Sequence, residues 1–303
     1  MKVTVLYGGP SAERSVSLVS GQAVIDGLRQ MGHDVFPSDI SPADLSGLEK
    51  PADVIFPVLH GQFGESGELQ EILEARGLPF VGSSSRASRL GMDKVKTKQA
   101  WEAAGLLTPS WRVIEKFDPS SAPAGPCVVK APASGSSIDV FVFKSPNPSA
   151  VRLAIEGIIS RHGRALVEQF INGPELTVGL LEEEPLAPIR IVPKSEFFDF
   201  ASKYQRSDTE HRFDTGLPDS LVQRCRELAR QANQVVGARD LARIDIMIAS
   251  NHQPYLLEIN TLPGFTPQSL LPEAAKHAGI AFGPLVDRLV RRAHSRLPNA
   301  AAA

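Results

Sequence analysis

The sequence predicts an α/β unit on a parallel sheet, followed by an α+β region rich in antiparallel strands. Three observations predict this. Residues 1–86 alternate short apolar strands with amphipathic helices, the rhythm of a parallel sheet covered by helices. Residues 127–143 and 242–259 each read as two strands joined by a short polar turn. The 303 residues are 42% hydrophobic and 22% charged, which suits two or three separate cores in one chain.

The elements follow in order. Residues 2–6 are β-branched and apolar, a buried strand ending at Gly8-Gly9. Val16, Val19, Ala23, Val24 and Leu28 recur at helical spacing, and Gly32 closes that helix. Residues 35–37 and 54–59 are strands, the second ending at His60-Gly61. Leu69, Ile72 and Leu73 mark a helix over 67–76, and 78–82 reads as a short strand. A second unit spans 87–171. It opens with a lysine-rich helix, 93–104, closed by Gly105. Strands follow at 127–130, 140–143 and 166–171, with a helix over 149–161. A third unit spans 172–303, with strands at 176–181, 187–192, 242–248 and 255–259 and helices at 218–236, 272–278 and 283–294. Residues 199–216 are polar and aperiodic, and read as a long functional loop.

Charge and cysteine content exclude several classes. A formal net charge of −2 lacks the basic excess of a nucleic-acid binder. Cys127 and Cys225 lie far apart, without metal-type spacing, and read as reduced thiols. The first residues do not resemble a signal peptide, and no run reaches the roughly 18 apolar residues of a membrane span. A cytoplasmic protein without membrane partners is expected.

The last two strands carry the strongest chemical signal. Arg243 and Asp245 sit two apart and share a face, as do Glu258 and Asn260. Paired as a hairpin, they place three oxygen donors and a guanidinium on one surface, suited to Mg²⁺ and phosphate. A solvated strand face explains Arg-x-Asp alone. The second strand, followed by residues 262–266, favours the metal–phosphate site. Lys130 ends an apolar strand, where a charge needs a partner. Lys94 lies among Lys96 and Lys98, so a solvated helix face competes with phosphate binding. Ser136 and Ser137, with Gly135, offer the hydroxyls and amides of a phosphate lid, or of a plain hairpin loop. Glu168, Gln169, Phe170 and Ile171 can border an adenine or form an ordinary strand, and Glu175 can accept from ribose hydroxyls. Glu13 is either a helix-dipole partner or an anchor for an ammonium group. His60 ends a strand in the same unit, where histidines are usually structural. Gly8-Gly9-Pro10-Ser11 lacks the G-x-G-x-x-G of a dinucleotide site.

These motifs, in this order, resemble the D-alanine–D-alanine ligase family of the ATP-grasp superfamily. The carriers are residues 6–17, Leu59-His60-Gly61 with Gly64-Glu65-Ser66-Gly67, Met92-Asp93-Lys94, Gly135-Ser136-Ser137, Gly173-Pro174-Glu175, Lys203-Tyr204, Arg243-Ile244-Asp245 and residues 257–266. The resemblance implies an ATP-grasp fold behind an N-terminal Rossmann-like domain. It implies ATP and two Mg²⁺ ions, with Mn²⁺ as a substitute, and D-alanine as substrate. Glu13 would hold the first D-alanine's ammonium, in a trio with Ser136 and Tyr204. His60 would belong to the same substrate site. Lys94, Lys130 and Lys203 would contact phosphates. Glu168 and Ile171 would border adenine, and Glu175 the ribose. Asp245, Glu258 and Asn260 would bind the metals. Arg243 and the Gly264 N–H would stabilise the tetrahedral intermediate. Ser269 and Leu270 would receive the second carboxylate. A homodimer is a family expectation.

The chain departs from the family pattern at Asp139, where glycine is usual, at Ala131 between Lys130 and Pro132, and at Gln169, where a charged residue is common. Asp139 adds negative charge near the phosphate loop. Residues 134–139 and 199–216 are expected to shield an acyl phosphate from water. Two alternatives remain: the same fold with another acceptor, such as D-serine or D-lactate, or a nucleotide-binding homologue without turnover.

Overall fold

The computed structural model describes residues 1–119, 122–135, 139–193 and 209–296. Strand β1 (Lys2–Tyr7) lies between β2 (Asp34–Asp39) and β3 (Val54–Pro57) in a parallel sheet. Val3 sits opposite both Val35 and Val54. Val3, Thr4, Val5 and Leu6 are all buried, so both faces are covered, as parallel sheets require. Helix α1 (Arg14–Gln30) lies against β1 at Gly21, where a Cβ would come within 2.5 Å of the Tyr7 Cβ. Two short helices follow, α2 (Gly61–Glu65) and α3 (Glu68–Ala75). The first carries no apolar repeat and is not legible in the sequence.

Residues 78–82 do not form the expected strand. Phe80 makes only an isolated parallel bridge to Ile55. Beyond it the backbone is held by side chains from far along the chain. The Phe80 carbonyl accepts from Arg296, the Gly82 N–H donates to Asp240 and the Gly82 carbonyl accepts from Arg239.

Helix α4 (Ser85–Met92) and helix α5 (Lys94–Ala103) lead into the second unit, each capped by the side chain before it, Ser84 and Asp93. Four antiparallel strands, β4 (Trp111–Ile114), β5 (Cys127–Lys130), β6 (Val140–Phe143) and β7 (Ala165–Gln169), pair in the order β4-β7-β5-β6. Helix α6 (Pro148–His162) buries Ile155 and Ile158 among Cys127, Val129 and Val167 on one face. Lys130 and Glu168 belong to the opposite face by strand alternation.

The third unit holds β8 (Glu175–Leu181), β9 (Glu184–Pro185), β10 (Ile189–Pro193), β11 (Thr209–Arg212), α7 (Asp219–Val236), β12 (Leu241–Ile248), β13 (Pro254–Asn260), α8 (Leu270–His277) and α9 (Phe282–His294). Its antiparallel sheet runs β11-β10-β8-β12-β13, with β9 folded back on β8. The expectation of a loop over 199–216 is corrected at its end, because residues 209–212 pair with β10. A polar edge strand carries no apolar alternation to reveal it. Residues 194–208 lie outside the described residues. Among the described residues, no helix is long and apolar enough to cross a membrane. Cys127 and Cys225 are buried free thiols, and burial pushes Cys225 up to about 11.

The first and third units share a core. Val3, Val5, Ile25 and Phe56 pack with Leu271 from α8 and with Leu285, Val286 and Leu289 from α9. At its rim, fully buried Asp240 receives Arg296 at 2.8 Å and the Gly82 N–H at 2.8 Å. Asp240 also adopts a left-handed φ of 64°. Asp240→Ala would strand the Arg296 charge and place alanine in a strained backbone state. We expect it to lower stability by about 3 kcal/mol, seen as a lower urea midpoint with an unchanged slope. Asp240→Asn, which keeps the Gly82 contact, should fall between.

Candidate active site

The pairing of β12 with β13 sets the site. Arg243 lies opposite Asn260, and Asp245 opposite Glu258, so the four polar side chains share one surface. Just beyond, the register shifts between Asp245 and Ile246, leaving Leu257 as an extra residue. Simple alternation would put Leu256 on the same face as Glu258. The bulge instead sets Leu256 opposite Ile246, where both enter the apolar core under α7. The sequence expectation of one polar face is met, through a device that alternation alone does not reveal.

Asp245 is buried and held by three hydrogen bonds from two residues. Arg243 grips it in a fork, Nε to Oδ1 and Nη2 to Oδ2, both at 3.0 Å. The Thr177 hydroxyl, from β8, donates to Oδ1 at 2.6 Å. Asn260 turns its Oδ1 to the Leu262 N–H at 2.9 Å, which fixes the amide. Among the described residues, no group of three His, Cys, Asp or Glu is gathered for a metal. The donor set is two carboxylates and an amide oxygen. Such a set suits a hard divalent cation that takes its other ligands from phosphate and water.

The lysine-rich helix is not a solvated face. Lys94 is buried at its start, donating to the Ser134 carbonyl at 2.6 Å and lying 3.4 Å from Glu258. Lys98, one turn later, is fully buried and pairs with Glu168 at 2.8 Å. Lys130 pairs with the other oxygen of Glu168 at 2.7 Å, which supplies the partner its placement demanded. Burial pushes Glu168 up, but Lys130 and then Lys98 outweigh it and hold the carboxyl below its ordinary range. The Gln169 N–H donates to Ser110 and the Phe170 N–H to Pro126, so two backbone donors of the predicted adenine edge serve the fold. Ile171 is buried beyond the strand end.

Asp139 is turned to its own partners. It accepts from Arg161 at 2.6 Å and contacts His162 at 2.7 Å, at the end of α6. Burial pushes its carboxyl up, but His162 and Arg161 more than offset this and hold it low. Its φ of 58° is left-handed, a state glycine adopts freely and aspartate tolerates. Ser136, Ser137, Lys203 and Tyr204 lie outside the described residues.

A cavity of about 410 Å³ opens beside the Arg243–Asp245 fork. Glu175, Gly264, Ser269 and Leu270 also line it. Ser269 is the residue before α8, and its hydroxyl accepts from the Thr266 N–H at 3.0 Å. The positive end of the α8 dipole favours an anion at this wall. Glu13 is buried immediately before α1. His60 is buried with Nδ1 at 3.3 Å from Glu65, and it feels the charges of both Glu13 and Arg243. Ser15, Val16 and Val19 of the first unit line the same cavity as Arg243 and Asp245 of the third.

Two sequence families meet this chain. Residues 38–83 match the D-ala D-ala ligase N-terminus and residues 101–291 the D-ala D-ala ligase C-terminus. The chain belongs to the D-alanine–D-alanine ligase family. Within this ligase family it is 41% identical to D-alanine–D-alanine ligase B of Chromobacterium violaceum, over 97% of this chain and 98% of that one. It is 40% identical to D-alanine–D-alanine ligase of Geobacter sulfurreducens, over 98% and 95%. The crystal structure of a D-alanine–D-alanine ligase from Bacillus anthracis complexed with ATP superposes with a TM-score of 0.84 at 29% identity, covering 98% of both chains. The mixed architecture is therefore that of this ligase family, as the sequence predicts.

Sequence reading missed Thr177, Lys98 and the Glu65 partner of His60. Thr177 follows a polar residue by two on an otherwise apolar strand, a weak signal that only the neighbouring strand explains. The Glu65 effect is measurable. Burial alone pulls His60 down, but the Glu65 hydrogen bond and charge, aided by Glu13, raise it above 6.5. The stability this contributes is complete below the unfolded value of about 6.5 and fades as pH rises through the folded one. Glu65→Gln leaves burial and Arg243 dominant, so the His60 ring should titrate at lower pH by NMR. An unchanged titration would exclude Glu65 as the cause.

Proposed function

We propose that the protein joins two D-alanine molecules at the expense of ATP, through an acyl phosphate. The observation that carries this reading is the Arg243 fork on Asp245, opposite Glu258 and Asn260 and beside a cavity walled by the start of α8. A carboxylate does not react directly with an amine at neutral pH, because oxide would have to leave. Attack of a D-alanine carboxylate oxygen on the γ-phosphorus breaks the bond to ADP and gives the acyl phosphate. The second D-alanine's amine then adds to the acyl carbon, and phosphate departs with the carbon–oxygen bond.

Each residue has a part in this reading. Lys94 and Lys130, with Lys203, hold the phosphates as point charges. Glu168 to Ile171 border the adenine, and Glu175 takes the ribose. Glu13 anchors the first ammonium, in a trio with Ser136 and Tyr204, beside His60. Arg243 and the Gly264 N–H stabilise the tetrahedral oxyanion. Ser269 and Leu270, at the positive end of α8, receive the second carboxylate. Asp245, Glu258 and Asn260 would hold the Mg²⁺ ions, which neutralise phosphate charge when bound. The finer assignments extend to residues 1–86 as a substrate-binding unit, 87–171 as a nucleotide-binding unit and 172–303 as the catalytic unit, in a cytoplasmic homodimer.

Purified protein with D-alanine as sole amino acid should form ADP and phosphate in step with D-alanyl-D-alanine. Arg243→Lys keeps a charge but loses the fork, and should cut turnover about 100-fold without shifting the melting transition by more than a few degrees. ADP formation that needs D-serine or D-lactate, and ignores D-alanine, would overturn the assignment of the acceptor.

A further inference from the structure

Lys98 has no part in the reaction as described, yet it is the most deeply buried charge near the nucleotide strands. It is fully buried, lies one turn after Lys94, and meets two groups from different places in the chain. Glu168 on β7 lies at 2.8 Å. The Thr108 hydroxyl accepts its hydrogen bond and in turn donates to the Leu256 carbonyl of β13 at 2.9 Å. The Leu256 N–H donates back to Leu107 at 2.9 Å. A polar chain thus runs from Lys130 through Glu168, Lys98 and Thr108 to the strand that carries Glu258 and Asn260.

Two lysines share one carboxylate in this chain, so the trio keeps one positive charge. The Lys98 ammonium lies 2.8 Å from Glu168 Oε1, and their attraction is first Coulombic, with the hydrogen bond second. Lys98 therefore competes with Lys130 for the same anion. With Lys98 charged, Glu168 is divided between them, and Lys130 keeps charge to offer outward. With Lys98 neutral, Glu168 belongs to Lys130 alone and cancels it.

We propose that Lys98 is a positioning residue for nucleotide binding: by holding Glu168 from behind, it leaves Lys130 charged toward the polyphosphate and ties the nucleotide strands to β13. This rests on the ATP-dependent reading above. The environment of Lys98 makes the effect titratable. Burial pulls its ammonium down to about 8, opposed by the charge of Glu168 and helped by Lys130, with Glu102 of the same helix also opposing. Helix α7, packed on the same helix, presents the Ala232 carbonyl to the Trp101 ring N–H. Lys98 loses its charge as pH rises through about 8, so nucleotide affinity falls over that range.

The test measures binding of a non-hydrolysable ATP analogue by calorimetry between pH 6.5 and 9.5, and KM for ATP against kcat over the same range. The unaltered protein should lose about tenfold in affinity across pH 8. Lys98→Met should bind about tenfold more weakly at pH 7, with kcat at saturating ATP changed less than threefold, and should lose the pH step. Lys98→Arg stays charged throughout, and should restore binding at pH 7 while removing the step. A pH step that persists in Lys98→Arg, or unchanged affinity in a folded Lys98→Met, would overturn the proposal. Failure of the unaltered protein to turn over ATP with D-alanine would instead overturn the reading on which it rests.

Discussion

The register between β12 and β13 is the constraint on which the polar surface of Arg243, Asp245, Glu258 and Asn260 depends. Because side chains alternate along a strand, a slip of one residue would send Glu258 and Asn260 into the core and bring apolar residues out. Three features oppose that slip. Ile244 and Ile259 face each other in the core, Leu256 and Ile246 do so beyond the bulge, and Leu257 absorbs the extra residue between. Asp245 is then fixed within the sheet by a threonine from the next strand and by its own neighbour Arg243. The site is thus a product of ladder geometry, and its loops add to a surface already set.

Charge placement follows a related logic. A buried ion pair is weak evidence for stability, because desolvation opposes the Coulomb gain. Here the buried charges are gathered where elements from different units meet. Lys94 bridges the Ser134 carbonyl and Glu258, Lys98 bridges Glu168 and Thr108, and Trp101 on the same helix bonds to α7. Helix α5 therefore lies between the two antiparallel sheets with one face given to polar bridges. Spacings of three and four residues put these side chains on that face, whereas Lys96 points to solvent.

Much of this was legible in the sequence, and the reasons for the rest are physical. Apolar periodicity marks the parallel sheet, α1, α7 and the long strands, because each buries a continuous stripe. It fails at β11, whose Thr-Glu-His-Arg run is an edge with nothing to bury on one side. It fails at residues 78–82, where Arg296 and Asp240 replace a neighbouring strand. The polar face of β12 and β13 was legible as two alternations, but the bulge was not, since no residue in it is a glycine or proline. Lys98 was hidden by its neighbours: three lysines in five residues look like a wet surface until the opposing carboxylate, 70 positions later, is placed against one of them. Asp139 looked like a misplaced charge for the same reason, its partners lying on the helix that follows.

The shared core of the first and third units has a consequence for how the molecule is made. Strands β1 and β3 and helix α1 emerge early from the ribosome, but Leu285, Val286 and Leu289, which cover part of their apolar surface, are added only after more than 200 further residues. Vectorial synthesis therefore leaves the nascent parallel sheet with an open hydrophobic flank until translation reaches α9. That interval is when a chaperone has a target, and when neighbouring chains on one messenger are most prone to stick together.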